Sequence, residues 1–201
     1  MTTEDRKTFF DRHADSWDER HHSDTERTQL ADLVNSFGWA AGNAVLDVGT
    51  GTGILLPFLR ETIGHEGLLV AMDFSFKMLR QAAGRRNGTD AMFLNATVES
   101  IPFYSDRFDC VTCFAAFPHF PNKEKALREM VRVLRPAGKV VIAHLKSAEE
   151  INRMHSQIGG AVACDRLPHA EALRKLLESS GLVDISILNE PGRFTAQGRK
   201  A

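Results

Sequence analysis

Short apolar runs alternate with longer segments of helical period between residues 44 and 144 of the chain. This alternation is typical of repeated strand–helix units around a parallel sheet. Most of the runs are apolar at nearly every position, which predicts strands buried on both faces. Together with two further runs near the end of the chain, the predicted strands are residues 44–48, 67–72, 91–95, 107–114, 139–144, 183–188 and 193–197.

Apolar side chains at helical spacing predict the segments that connect and flank these strands. One helix follows Ser75 and another follows Asn122, and both residues are good caps. The second helix must end near Arg135, because Pro136 cannot continue it. A later helix over residues 168–180 is closed by a glycine. The remaining helical stripes are Leu30, Leu33, Val34 and Phe37, then Ile54, Leu55, Phe58 and Leu59, and finally Ile151, Met154, His155 and Ile158.

The composition is that of one soluble globular domain, since 43% of the 201 residues are hydrophobic and 25% are charged. A net charge of -1 provides no field for a phosphate backbone, so nucleic acid is not an expected partner. No apolar run approaches the roughly 18 residues needed to cross a bilayer, and the polar start lacks the apolar core of a signal peptide. We therefore expect a cytoplasmic protein without a membrane span.

The cysteines and histidines show no spacing typical of metal ligands. Cys110 and Cys113 lie an odd number of positions apart in one predicted strand, so their side chains should point to opposite faces and pack in the core. No metal site is predicted, because no ligand pair with a recognised spacing occurs among His144, His155, Cys164, Asp165 and His169.

The most informative segment joins the first predicted strand to a helix through Gly49, Gly51 and Gly53. Glycines let the backbone turn sharply and approach a ligand, and the following helix presents unpaired N–H groups. A nicotinamide-dinucleotide fingerprint needs a glycine where Ile54 stands, and no Gly-Lys-Ser/Thr phosphate loop follows. The carboxylate of Asp47 instead suits a ligand with positive charge near the loop, such as the ammonium and sulfonium groups of S-adenosylmethionine.

Further motifs follow the glycine loop in a characteristic order. Asp73 ends the second strand, residues 95–109 lead into the fourth, and residues 134–139 form the turn before the fifth. With residues 47–53, they make the chain resemble the class I S-adenosylmethionine-dependent methyltransferases, within them the small single-domain group that includes the quinone-biosynthesis methyltransferases. The resemblance extends over residues 9–188. Two features depart from the family pattern: Asn95 stands where an aspartate is common, and Ala137-Gly138 replaces a double glycine.

The resemblance implies an α/β fold, namely a doubly wound, Rossmann-like, seven-stranded and mostly parallel sheet with helices on both faces and an antiparallel last strand. Residues 198–201 are expected to fray. The implied methyltransferase domain spans residues 1–201, with an N-terminal helical cap (1–38), a cofactor-binding core (44–144), a substrate-side insertion (145–167), and a C-terminal helix with the last strands (168–201).

The resemblance also assigns residues to S-adenosylmethionine. Asp73 would accept hydrogen bonds from both ribose hydroxyls, which one carboxylate can do. Asn95 would accept from the adenine amino group, without the charge of the usual aspartate. Trp17 would fold over the cofactor, although it could also simply cover the sheet. The full predicted set is Asp47, Gly49, Thr50, Gly51, Gly53, Asp73, Phe74, Met78, Asn95, Ala96, Thr97 and Trp17.

The implied function is methyl transfer from S-adenosylmethionine to a small-molecule acceptor, with S-adenosylhomocysteine as product and the acceptor atom (O, C, N or S) open. Such transfer often needs a base with a pKa near neutrality. His119 and His144 lie at the rim where substrate should enter, and His155 shares an apolar helix face, where a core role is the alternative. Two other functions stay open: a noncatalytic S-adenosylmethionine-binding regulatory module and a nicotinamide-dependent oxidoreductase.

Overall fold

The computed structural model describes residues 3–17, 24–84 and 89–201 of the chain. Parts of the predicted N-terminal cap, at residues 1–2 and 18–23, lie outside the described residues. The strands are β1 (Val45–Val48), β2 (Leu69–Asp73), β3 (Met92–Asn95), β4 (Phe108–Phe114), β5 (Leu134–His144), β6 (Leu182–Glu190) and β7 (Arg193–Lys200).

Helices precede, connect and cover these strands. Within the described ranges, no helix has both the length and the apolar character needed to cross a membrane. Short 3-10 turns occur at Ala14–Ser16, Phe117–His119 and Gly160–Val162. The α-helices are α1 (Thr3–His13), α2 (Asp24–Asn35), α3 (Leu56–Ile63), α4 (Phe76–Gly84), α5 (Lys123–Val133), α6 (Ala148–Ile158) and α7 (Ala170–Ser179).

The strands form one seven-stranded sheet in the order β3-β2-β1-β4-β5-β7-β6. β1 to β5 run parallel, and β7 pairs antiparallel with both of its neighbours. The predicted fold, with its antiparallel last strand, is therefore confirmed. The chain builds outward from β1 to β3 and then returns to start β4 on the other side of β1. In open α/β sheets, ligands bind beyond the carboxyl ends of the strands at this point of reversal.

Apolar clusters cover both faces of the sheet. Leu127 of α5 and Leu173 of α7 lie in the cluster on one face, and Leu33 of α2 and Leu59 of α3 lie in the cluster on the other. The two strand cysteines divide between these clusters as predicted, with Cys113 in the first and Cys110 in the second. Because these strands are buried on both faces, their carboxyl ends are held rigidly for the loops that follow.

Several element boundaries differ from the sequence prediction, and two of these differences are informative. Helix α5 ends at Val133, and Leu134 already pairs with Phe108, so β5 begins well before residue 139, with an irregularity in its pairing with β4. The expectation of a frayed C-terminus is wrong for residues 198–200, because Gly198 pairs with Val140 and Lys200 pairs with Leu182. Pairing with strands that are distant in the sequence thus orders residues 198–200, although this polar segment has no local sequence pattern that predicts a strand.

The guanidinium of Arg60 fixes the turn between α3 and β2 from inside the fold. Its Nη1 donates to the carbonyls of Gly64 (2.6 Å) and Gly67 (2.8 Å), and its Nε donates to the carbonyl of Thr89 (2.7 Å). The residue is only 8% exposed. One side chain thus donates to three carbonyls outside the strand pairing, of which that of Gly64 also accepts from the N–H of Gly67 (3.3 Å). Loss of a donor to a buried carbonyl is costly.

Replacing this side chain should therefore cost more than removing a surface charge. We expect Arg60→Met to lower the free energy of unfolding by about 3 kcal/mol, because it removes the guanidinium donor from the carbonyls of Gly67 and Thr89. Arg128→Met is the matched control: Arg128 pairs with Glu124 on an exposed helix face, where such pairs contribute about 1 kcal/mol or less. Urea unfolding of both variants measures the difference, and equal losses would contradict the role given to Arg60.

Candidate active site

The carboxyl ends of β1, β2, β4 and β5 open into a cavity of about 640 Å³. It lies where the strand order reverses, between the loop that follows β1 and the loop that follows β4. Residues of α1, α2 and α6 complete its walls. The cavity joins most of the predicted site residues, namely Trp17, Gly49, Thr50, Gly51, Asp73, Phe74, Met78, Ala96, Thr97, His119, His144 and His155.

The three glycines of the loop have different structural roles, although all have positive φ. A Cβ at Gly49 would lie 2.4 Å from Cβ of Ala116, so this glycine lets the loops after β1 and β4 touch. A Cβ at Gly53 would come within 3.0 Å of Ala82, which makes Gly53 a packing contact with α4, outside the cavity wall. Gly51 lines the cavity, and a Cβ there would meet no protein atom within 4 Å.

Two buried carboxylates lie beside this loop. Asp47, which is 1% exposed, does not itself line the cavity, and its Oδ1 has no hydrogen-bond partner within the described chain. The hydroxyl of the cavity-lining Thr50 is likewise buried without a partner there. Burial raises the pKa of Asp47 to about 7, and the charge of Asp73 adds to this rise. Buried polar atoms are seldom left unpaired, so these atoms are positioned for a ligand or for ordered water.

The second carboxylate, Asp73, binds the backbone of two turns. Its Oδ2 accepts from the N–H of Gly51 (2.9 Å) and its Oδ1 accepts from the N–H of Ser75 (2.8 Å). Each oxygen keeps a further lone pair. Burial raises the pKa of Asp73 to about 6, although these N–H groups oppose the rise. The carboxylate therefore has free acceptor capacity at the cavity wall.

Asn95 differs from its predicted role. It is exposed, does not line the cavity, and its Nδ2 donates to the carbonyls of Asp73 (2.9 Å) and Phe74 (3.0 Å). The side chain thus holds the turn after β2 in place. Ala96 and Thr97, the next two residues, do reach the cavity.

The N-terminal helix α1 packs against the turn after β2. Asp11 accepts from the hydroxyl of Ser75 (2.5 Å), and the rings of Phe10 and Phe74 meet edge to face at 5.8 Å. Phe10 also contacts Trp17, at 5.6 Å between ring centroids. Phe10, Phe74 and Trp17 all line the cavity, so α1 and the residues after it form one of its walls.

The three candidate histidines line the same cavity but have different environments. Burial lowers the pKa of His144 to about 3, with the nearby His119 and His155 adding to the effect, and its Nε2 has no partner in the described chain. Burial also lowers the pKa of His155, whose Nδ1 lies 3.0 Å from the carbonyl oxygen of Asp165. The ring of His119 lies 4.8 Å from that of His155.

The sequence did not predict the hydrogen bonds that Asp165 makes with His119 and Arg6 at this site. Asp165 receives a hydrogen bond from Nδ1 of His119 (2.8 Å) and a second from Nη2 of Arg6 (2.6 Å). In the sequence, Asp165 draws attention only as a possible metal ligand, and its spacing from the other candidate ligands does not support that role. No group of three metal-ligating side chains occurs in the part of the chain that the structure describes. Arg6 and Asp165 are 159 positions apart, so no local pattern connects them.

Comparisons with known proteins agree with this geometry. Residues 46–142 match the methyltransferase domain family. A ubiquinone/menaquinone biosynthesis C-methyltransferase UbiE of Marinomonas sp. is 30% identical, over 82% of this chain and 67% of the relative. The chain belongs to the class I S-adenosylmethionine-dependent methyltransferases. The predicted family and the predicted cofactor, S-adenosylmethionine, are therefore confirmed.

Other relatives of this methyltransferase show the same pattern. The UbiE of Hahella chejuensis is 31% identical over 73% of this chain, which spans only 63% of that relative. The crystal structure of a SAM-dependent methyltransferase from Aquifex aeolicus has a TM-score of 0.77 at 22% identity and covers 94% of this chain and 98% of its own. This structural match supports the fold, whereas the sequence matches define the family.

The open space at Gly51 gives a test of where the cofactor lies. Gly51→Ala should weaken binding of S-adenosylhomocysteine to this methyltransferase by about tenfold or more, since an inserted methyl group typically costs about 1–3 kcal/mol. Gly42→Ala is the matched control, because Gly42 also has positive φ and open space but precedes β1 at the other end of the strand. Both variants share about 1–2 kcal/mol of backbone strain. Titration calorimetry measures the affinity of both variants for S-adenosylhomocysteine, and equal affinities would contradict the placement of the cofactor against Gly51.

Proposed function

We propose that this methyltransferase transfers a methyl group from S-adenosylmethionine to a small, largely apolar acceptor. The observation that carries the proposal is the composition of the cavity. One end holds the glycine loop and the Asp73 carboxylate, and the rest is lined mainly by aromatic and aliphatic side chains. Two ligands of different polarity therefore have complementary surfaces in one enclosed space.

The polar end fits the cofactor residue by residue. Asp47 and the loop backbone would hold the methionine end, because the unpartnered Oδ1 of Asp47 suits a cationic group. Asp73 would accept the ribose hydroxyls with its remaining lone pairs. Phe74 and Met78 offer apolar contacts to the adenine ring, with Ala96 and Thr97 near its edge. When bound, S-adenosylmethionine supplies an electrophilic methyl group on its sulfonium sulfur.

The acceptor would occupy the space between α1, the loop after β4 and the segment 145–167. Phe9, Phe114, Phe120, Ile151 and Met154 line the cavity with apolar surface, which favours a largely hydrophobic molecule, although a few charged side chains also reach the wall, namely Arg6, Glu26, Glu99 and Lys146. Alignment of the two ligands inside this space would provide much of the rate. The N-terminal cap and the insertion therefore act as the parts of the domain that select the acceptor.

Among the three histidines, His144 is the least suited to remove a proton. A group whose pKa lies near 3 holds a proton weakly at neutral pH. Its unpartnered Nε2 is better suited to a hydrogen bond with a ligand. His119 and His155 are therefore the proposed proton acceptors. Neither the regulatory-module alternative nor the nicotinamide alternative gains support from the relatives or from the cavity.

Methyl transfer should be detected directly. Purified protein is incubated with methyl-labelled S-adenosylmethionine and fractionated metabolite extract, and we expect one fraction to yield a labelled product together with S-adenosylhomocysteine. Gly51→Ala, which is expected to bind the cofactor poorly, and Gly42→Ala provide the matched pair. Calorimetric binding of S-adenosylhomocysteine without transfer to any fraction would instead indicate a regulatory module. Thermal stabilisation by NADH but not by S-adenosylhomocysteine would indicate an oxidoreductase.

Cofactor affinity should also depend on pH. The pKa values of about 7 for Asp47 and about 6 for Asp73 mean that both carboxyls take up protons in the ligand-free protein as the pH falls below 7. Their charged forms bind an ammonium group or hydroxyl donors better, so binding should release protons and strengthen from pH 5.5 to 8. Calorimetry with S-adenosylhomocysteine in buffers of different ionisation enthalpy measures this release. Asp47→Asn should reduce it, and a pH-independent affinity would contradict the assignment.

A further inference from the structure

We propose that His119 and Asp165 form the dyad that removes a proton from the acceptor, and that Arg6 of α1 is a positioning residue that holds this dyad in place. The acceptor class then narrows to apolar molecules whose reacting atom carries a proton, such as a hydroxyl, a thiol or an acidic carbon. The inference rests on the proposed function and adds to it the proton acceptor, its supporting residues and this property of the substrate.

The hydrogen bond between His119 and Asp165 determines which ring nitrogen is available. Nδ1 of His119 lies 2.8 Å from Oδ2 of Asp165, and an ionised carboxylate only accepts, so Nδ1 carries the hydrogen. In the neutral ring, Nε2 then holds a free lone pair. Because His119 lines the cavity, this ring can accept a proton from a molecule bound there.

Arg6 holds Asp165 from its other side. Its Nη2 and Nε donate to Oδ1 of Asp165 at 2.6 and 3.1 Å, and the carboxylate is almost fully buried, with 1% of its side chain exposed. Burial alone would raise the pKa of Asp165, but the hydrogen bonds from His119 and Arg6 bring it below its usual value. Asp165 therefore stays ionised at neutral pH and presents a carboxylate to Nδ1 of His119.

The surroundings of His119 favour it over His155. The ring of Phe10 meets it edge to face at 5.0 Å and the ring of His155 lies 4.8 Å away, which restricts rotation of the imidazole. His155 is held by a neutral backbone carbonyl rather than by a carboxylate, and burial lowers its pKa. Of these two rings, His119 is the one that is hydrogen-bonded to the carboxylate of Asp165, the arrangement that orients a histidine base.

Helix α1 connects this dyad to the cofactor end of the cavity. On the same helix, Arg6 contacts Asp165, while Phe10 and Asp11 contact Phe74 and Ser75, the residues directly after Asp73. The placement of α1 that covers the proposed cofactor end of the cavity therefore also places Arg6 against Asp165 of the dyad.

The reacting atom of the acceptor forms a bond to the methyl carbon while the methyl–sulfur bond breaks, and the electron pair of that bond remains on sulfur. The proton of the acceptor passes to Nε2 of His119 and then to solvent. An acceptor that has no proton to lose, such as a tertiary amine or a thioether, would gain nothing from the dyad.

Four variants of the full chain test the proposal: His119→Gln, Asp165→Asn, Arg6→Met and the control Arg12→Met. Arg12 lies on the same helix and is exposed, so its variant removes the same charge from α1 without touching Asp165. The transfer rate is measured with labelled S-adenosylmethionine and the active extract fraction. Binding of S-adenosylhomocysteine is measured by calorimetry, and the nitrogen chemical shifts of the histidine rings report which nitrogen of His119 is protonated.

We expect His119→Gln to lower the maximal transfer rate by about 100-fold or more, with S-adenosylhomocysteine affinity unchanged. Asp165→Asn and Arg6→Met should each lower that rate by about 10- to 100-fold and alter the His119 nitrogen shifts, because a misaligned group loses its proton-transfer geometry. Arg12→Met should match the wild type in all three measurements.

Three results would overturn the inference alone: transfer retained in His119→Gln, transfer lost in His155→Gln but not in His119→Gln, or wild-type His119 protonated at Nε2 instead of Nδ1. If S-adenosylhomocysteine binds but no extract fraction is methylated by the wild type, the proposed function fails and the inference fails with it. The histidine shifts and the cofactor affinity distinguish these cases.

Discussion

The carboxylate of Asp73 joins the two turns on which the cofactor end of the cavity depends. By accepting from Gly51 and Ser75, it holds the loop after β1 against the turn after β2. The parallel pairing of β1 with β2 brings these turns to the same edge of the sheet, but it does not orient them. A buried carboxylate that accepts two backbone N–H groups provides this orientation and still has lone pairs left for a ligand. The architecture of the fold and the chemistry of the site therefore meet in one side chain.

The acceptor end of the cavity is built on a different principle. Its polar residues come from three distant segments, with Arg6 on α1, His119 after β4 and Asp165 after α6. Aromatic contacts from Phe10 bring these segments to the cofactor end. In the proposed arrangement, the loops after the strands would hold the cofactor, whereas α1 and α6 would surround the acceptor with side chains. Such a division would let the acceptor change through these helices while cofactor binding is retained.

The sequence predicts those parts of the structure that short segments encode. The glycine loop with Asp47 and the cap at Ser75 follow from local patterns, whereas the seven-stranded, mostly parallel sheet follows from the family resemblance, and the structure bears out the cap and the sheet. The capping box of Ser147 and Glu150 at the start of α6 is a local signal that the sequence predictions above do not include. Long-range contacts could not be predicted in this way, because no local pattern relates Arg6 to Asp165 or residue 200 to residue 182.

The hydrogen bonds of the Asn95 amide show what would change if this position carried the aspartate that is common in the family. Because its NH₂ group donates to two backbone carbonyls, an aspartate introduced at this position would turn a negative oxygen toward two peptide oxygens. The turn after β2 would have to reorganise, and Asp73, the last residue of β2, would move with it. In this protein the uncharged amide thus supports the backbone around Asp73, the proposed ribose-binding carboxylate, and the acid that is usual in the family would disturb that support.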